Sequence, residues 1–297
     1  MMTQRLTLVL LLFITAINPG LASEANFGFN RATPFNIQQP LPAISIIIDD
    51  LGEQLTIGER AVALPGAITY SFLPHTSHAV QLAKLAHQQN KEVMIHMPMQ
   101  PLGDNKLGKG GLTLDMPQQS FITTLKDNLN AIPHISGINN HMGSLLTQHP
   151  DQMTWLMETL SERNDLFFVD SRTTELTIAY NIAAEYEIPR ISRNVFLDNI
   201  RTEAEINIQF ERLIKLAKRN GTAVAIGHPY PETIAFLEQA LPALKQKGIE
   251  LIRTSKVIKR KQLIEITIPQ SMFAAKEISD PTAQPAADGS PQSSIIQ

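Results

Sequence analysis

Five segments of this chain, most of them short apolar runs, each end in an aspartate or a histidine, and this placement constrains the fold more than any other feature. Ile44–Ile48 runs into Asp49 and Asp50, Val93–Ile95 into His96, and Gly137–Asn140 into His141. Leu166–Val169 runs into Asp170, and Ala223–Gly227 into His228. Short β-branched runs of this kind read as strands of a parallel sheet buried on both faces. In such sheets and barrels the residues just past the carboxyl ends of the strands line the active site. A fold that aligns the five segments therefore aims carboxylates and imidazoles at one mouth.

Helical patterns alternate with the runs. The strand candidates are 43–49, 67–73, 92–97, 135–140, 166–170, 189–193, 222–227 and 249–252. Between them lie helical candidates at 54–64, 77–90, 118–130, 151–163, 175–186, 202–220 and 231–247. Thr202 and Glu205 form a capping box before Ile206, Phe210, Leu213 and Leu216, and Asn220-Gly221 closes that helix. The alternation predicts a parallel β/α barrel or a distorted version of one, with a doubly wound open sheet as the alternative.

The ends differ in character. Arg5 followed by the apolar Leu6–Ile17 reads as a signal peptide occupying residues 1–25, so the protein is expected in the periplasm or secreted. Residues 26–42 read as a lead-in linker, 43–260 as the folded domain, and 261–297 as a mostly disordered extension rich in Ala, Pro, Ser and Gln. The basic run Lys256–Lys261 reads as a solvated segment. With no cysteine in the chain, a thiolate metal site is excluded, and any transition metal must be held by histidine and carboxylate. A net charge of −3 gives no footprint for nucleic acid.

Adjacent carboxylates at Asp49 and Asp50 repel unless one faces a metal and the other takes protons, although either could instead cap the following helix. His96 and His141 with one of the two aspartates make a competent three-ligand set for zinc that leaves a position open for water. His96 taken alone, on an apolar strand, is more often a satisfied core histidine than a ligand. His228 suits a general acid, and Asp170 could hold its second ring nitrogen. Asn140, Arg172 and Arg193 are the candidates for binding or orienting substrate; for Arg193 the plain alternative is a surface ion pair. Gly103–Gly110 matches a phosphate-binding loop except at its last position, and reads as a flexible loop over the mouth.

With these residues in hand, the chain resembles the divergent polysaccharide deacetylase family, the YibQ-like group related to the NodB-type carbohydrate esterases. The resemblance spans about residues 43–258 and rests on Ile46–Gly52, His96–Met99, Gly137–Ser144, Phe168–Thr173 and Ala225–Tyr230. It implies a distorted parallel (β/α)7 barrel. It also implies Asp49 as catalytic base, Asp50 as metal ligand, His228 as the acid and Asp170 as its partner. The esterases take two metal histidines from one His-x-x-x-His turn, whereas here the fourth residue after His96 is Gln100. The missing ligand is therefore assigned to His141. The expected activity is metal-dependent deacetylation of an N-acetylated glycan. The other readings are a non-catalytic glycan-binding or envelope-assembly factor on the same scaffold, and a metal phosphoesterase.

Overall fold

The computed structural model describes residues 40–267. The expected signal peptide, most of the lead-in and the tail beyond residue 267 lie outside the described residues. Within them, nine strands form one sheet in which every pairing is parallel. The strands are β1 (Ala43–Leu51), β2 (Thr69–Phe72), β3 (Glu92–Met99), β4 (Ile135–Met142), β5 (Phe167–Asp170), β6 (Arg190–Ser192), β7 (Val195–Phe196), β8 (Thr222–Gly227) and β9 (Glu250–Leu251). They run in the order β6-β5-β4-β3-β2-β1-β8-β7, with β9 added beside the first residues of β1. The two edge strands, β6 and β7, are consecutive in the chain. Arg193 N–H donates to Asp170 O on one edge at 3.0 Å, and the next residue, Asn194, donates to Val224 O on the other at 2.8 Å. The sheet thus curls into the distorted barrel expected from the alternation.

The period of two along each strand sorts its side chains. Ile44, Ile46 and Ile48 of β1 face outward into the main core, which they share with residues of helices α1 (Leu55–Val62), α2 (Ala79–Gln88) and their neighbours. Ile47, Met94, Val169, Ile191, Val224 and Ile226 face inward and form a separate apolar filling. The same inward rows are polar on both sides of this filling: Ser45 below and Asp49 above Ile47 on β1, and Glu92 below and His96 above Met94 on β3. The chemistry sits directly on top of the packed filling.

The other predicted helices are also present: α3 (Gln118–Ala131), α4 (Pro150–Ser161), α5 (Ala179–Glu185), α6 (Glu203–Asn220) and α7 (Pro231–Ala240). Thr202 Oγ1 accepts from Glu205 N–H at 3.4 Å and Gly221 ends α6 at φ 82°, as the sequence predicts. One reading is corrected. The basic run belongs to α8 (Thr254–Thr267), so ordered structure continues past residue 260. Val257 and Ile258, set among those lysines, are buried in the inward filling and close the barrel floor.

Candidate active site

Asp49 and Asp50 reach the same mouth because β1 is irregular there. Its register with β2 slips between Ile48 and Leu51, and Asp50 adopts a left-handed backbone with φ 54°. A bulge of this kind re-aims side chains that a regular strand would send to opposite faces. Neither aspartate caps α1, whose N-cap is Gln54.

Asp50 Oδ1 lies 2.9 Å from His141 Nδ1 and 3.2 Å from His96 Nε2. The three ligand atoms of this set fall within 4.8 Å of one another. Asp50 Oδ1 is buried yet has no hydrogen-bond partner among the described residues. Two ligands of a tetrahedral zinc site stand about 3.3 Å apart, given bonds of about 2.0–2.1 Å. The donor set, its spacing and the orphaned oxygen all fit a divalent cation. Burial raises the Asp50 carboxyl, but the His141 and His96 imidazoles override it and hold the group well below the usual carboxylate range.

Asn139 organises what surrounds this set, and the sequence reading missed it. Its Nδ2 lies 2.9 Å from both carboxylate oxygens of Asp49 and 3.3 Å from Ser171 Oγ. An ionised carboxylate only accepts, so the amide nitrogen must be the end facing Asp49. The opposite end, Oδ1, then accepts from Ser71 Oγ at 2.6 Å and from His96 Nδ1 at 2.8 Å. When neutral, His96 therefore carries its proton on Nδ1 and presents the Nε2 lone pair to the site, an orientation that partners of metal-binding histidines commonly enforce. Burial pushes the Asp49 carboxyl up, and His96, His228 and Asn139 offset this only in part.

His228 Nε2 stands 3.9 Å from Asp50 Oδ2, across the mouth from the other two histidines. Its Nδ1 lies 2.9 Å from an oxygen of Asp198, not of Asp170. The register explains this correction. Val195 pairs with Ala225 and Phe196 with Ile226, so the same ladder extended by two residues sets Asp198 beside His228. Asp170 ends β5, which β6 separates from the β7–β8 pair. Asp198 also accepts from His228 N–H at 2.6 Å and Thr233 Oγ1 at 2.8 Å. Burial alone lowers the His228 imidazole; Asp198, reinforced by Asp50 and Asp49, lifts it to about 10.

The remaining predicted residues shape loops. Asn140 Oδ1 accepts from Ser171 N–H at 2.9 Å and its Nδ2 donates to Met142 O at 2.7 Å, so both ends of the amide serve the backbone. Arg193 Nε and Nη2 donate to Ser171 O and Arg172 O at 2.6 and 2.8 Å, and the guanidinium lies 3.7 Å over the Phe196 ring. Gln100, in the place of the second histidine of the esterase turn, instead pins the surrounding loops. Its carbonyl accepts from Leu145 and Leu146 N–H, and its Oε1 from Leu114 N–H.

Residues 46–258 match the family described as divergent polysaccharide deacetylase. The chain is 38% identical to YibQ of Escherichia coli K12 over 228 residues, covering 77% of this chain and 71% of that protein. It is 36% identical to a protein of Haemophilus influenzae over 239 residues, covering 77% and 85% respectively. Among solved structures, one from Agrobacterium tumefaciens C58 superposes with a TM-score of 0.71 at 23% identity, covering 74% of this chain and 90% of that one. This last likeness concerns the fold. A parallel curled sheet with an Asp/His/His set at its mouth, together with a profile match over most of the described residues, places the chain in the divergent polysaccharide deacetylase family.

Proposed function

We propose that the protein is an exported, metal-dependent amide hydrolase that removes the acetyl group from an N-acetylated glycan of the cell envelope. The observation that carries this reading is the convergence of Asp50, His96 and His141 on one point, with Asp49 and His228 beside it. The apolar Leu6–Ile17 segment behind Arg5 supports export. Among the described residues no helix is long and apolar enough to cross a membrane.

Asp50, His96 and His141 are the residues that would hold a cation, and their nitrogen and oxygen donors suit zinc. Bound there, such an ion supplies Lewis-acid polarisation of the acetamide carbonyl and lowers the pKa of water. Asp49, a carboxylate made more basic by burial, takes the proton of the attacking water as the new C–O bond forms. His228, protonated at neutral pH through Asp198, gives its Nε2 proton to the amide nitrogen as the C–N bond breaks. The products are acetate and a free amino sugar.

The test is acetate release from N-acetylglucosamine oligomers by purified protein supplied with zinc. Release that disappears in Asp49→Asn and falls by about 10²–10⁴ in His228→Ala supports the reading. A zinc-loaded protein that binds the oligomers and releases no acetate is instead a glycan-binding factor on a deacetylase scaffold. Fractionation of cells producing the full chain tests export.

A further inference from the structure

Two charged residues, the buried Asp170 and the half-buried Arg193, have no part in the acid, base or cation-binding set, and both act on the same turn. Asp170, 1% exposed, accepts from Arg172 N–H through Oδ1 at 2.8 Å. Its other oxygen is held by Thr177 Oγ1 at 3.0 Å. Arg193 grips the turn from the other side through the carbonyls of Ser171 and Arg172. Between these clamps, Arg172 is fixed at φ 48°, a left-handed conformation that glycine adopts freely and arginine does not. A long side chain kept in such a strained backbone points to use of that side chain.

The Arg172 side chain is exposed, and no carboxylate lies within ion-pair distance of it among the described residues. Other cations nearby are already engaged: Arg193 as above, and Arg201 with Glu232 at 3.2 Å and over the Tyr230 ring. Arg172 stands one residue from the network that holds the base. Its neighbour Ser171 hydrogen-bonds Asn139, which holds Asp49. A mouth that contains Asp49, Asp50 and Asp198 repels an anionic ligand unless a fixed cation compensates.

Resting on the glycan-hydrolase reading, we propose that Arg172 is a specificity determinant that recognises an oxyanion, a carboxylate or a phosphate, carried by the glycan beside its acetamido group. Guanidinium is the side chain suited to both, through paired N–H donors.

Calorimetric titration of the full chain tests this with three probes: a neutral N-acetylglucosamine tetramer, a tetramer whose alternate sugars carry a lactyl carboxylate, and a tetramer carrying a phosphate monoester. Wild type is expected to bind at least one charged tetramer about 10-fold more tightly than the neutral one, the scale of a charge-assisted hydrogen bond. The preferred charged probe identifies the source of the oxyanion. In both Arg172→Gly and Arg172→Gln the preference shrinks to about 2-fold or less. Glycine fits φ 48°, so thermal unfolding of Arg172→Gly at or above the wild-type temperature shows that the loss is not misfolding. Equal affinities in wild type, no binding of any probe, or a preference that survives in both variants overturns the proposal. Because the titration reads binding, a protein that keeps the charge preference yet releases no acetate refutes the hydrolase reading and leaves the oxyanion subsite standing.

Discussion

Asn139 Nδ2 sits equidistant, at 2.9 Å, from the two carboxylate oxygens of Asp49, while the other end of the same amide accepts from His96 Nδ1 at 2.8 Å. One neutral side chain thereby orients the base and sets the tautomer of a metal ligand. The two duties separate by mutation. In Asn139→Leu both are lost, and metal affinity and acetate release each fall by about 10–100-fold. In Asn139→Asp an oxygen still accepts from His96, so metal affinity is largely kept. The new carboxylate beside Asp49 raises the carboxyl pair, and the acid limb of the pH–rate profile moves upward. Nitrogen NMR of His96 in chelator-treated protein, at a pH above the imidazole pKa that Asp49 and Asp50 raise, checks the tautomer: Nδ1–H in wild type, a switch toward Nε2–H in Asn139→Leu.

Asp198 is expected to govern the protonation of His228. Removing the charge in Asp198→Asn lowers the imidazole pKa from about 10 by about 1–3 units, measurable by NMR titration of the metal-free protein. The sign for stability follows from linkage. A histidine whose folded pKa lies above its ordinary value of 6.5 stabilises fully below pH 6.5, and that contribution fades as pH rises through about 10. The stability difference between wild type and Asp198→Asn is therefore largest at pH 6.5 and below and shrinks toward pH 10. A difference that grows with pH over this range would contradict the assignment.

The Asp50/His96/His141 set predicts one bound zinc per chain and a stability gain on adding it. At free zinc of about 100 times the dissociation constant the gain is about 2.7 kcal/mol. Elemental analysis after dialysis should find near-stoichiometric metal in wild type and little in His141→Ala. Full stoichiometry retained in that variant removes His141 from the ligand set.

Much of this site is legible in the sequence, because a parallel sheet converts apolar runs into strands and their last polar residues into a mouth. Asp49, Asp50, His96, His141 and His228 were marked by that pattern. Asp198 carries the same mark, since Val195-Phe196-Leu197 runs into it, but three residues are too few to read as a strand. β7 exists through its pairing with β8, a tertiary contact that periodicity does not encode. Asn139 was passed over for Asn140 because the two amides are chemically identical. Only the period of two, which sets Asn139 on the face of Gly137 and His141, separates them. Asp170 shares its pattern with the site residues and still serves a loop, because end-of-run position says nothing about which neighbour the barrel supplies.

The floor of the barrel supports the final prediction. Glu92, 6% exposed at the start of β3, accepts through Oε2 from Thr69 Oγ1 at 3.0 Å and from Ser255 N–H at 3.1 Å, in the first turn of α8. Thr254 Oγ1 links the same cluster to Thr69 at 3.0 Å and to Ser45 at 2.7 Å. A carboxylate at a helix N-terminus satisfies a donor that the helix leaves free and meets the positive end of its dipole. The cluster therefore docks α8, whose Val257 and Ile258 close the filling below the mouth. Glu92→Ala leaves the buried Thr69 hydroxyl without its acceptor and the Ser255 N–H without a partner, and should cost about 1–3 kcal/mol in denaturant unfolding. Glu92→Gln keeps an acceptor, loses the charge, and should cost about 0.3–1 kcal/mol. Four residues of extended chain place Glu92 about 13 Å from His96, so zinc affinity should hold in both variants. Hydrogen exchange supplies the specific signature: the α8 amides lose protection first in Glu92→Ala. Uniform loss of protection across the sheet would mean that α8 is not a separately docked element.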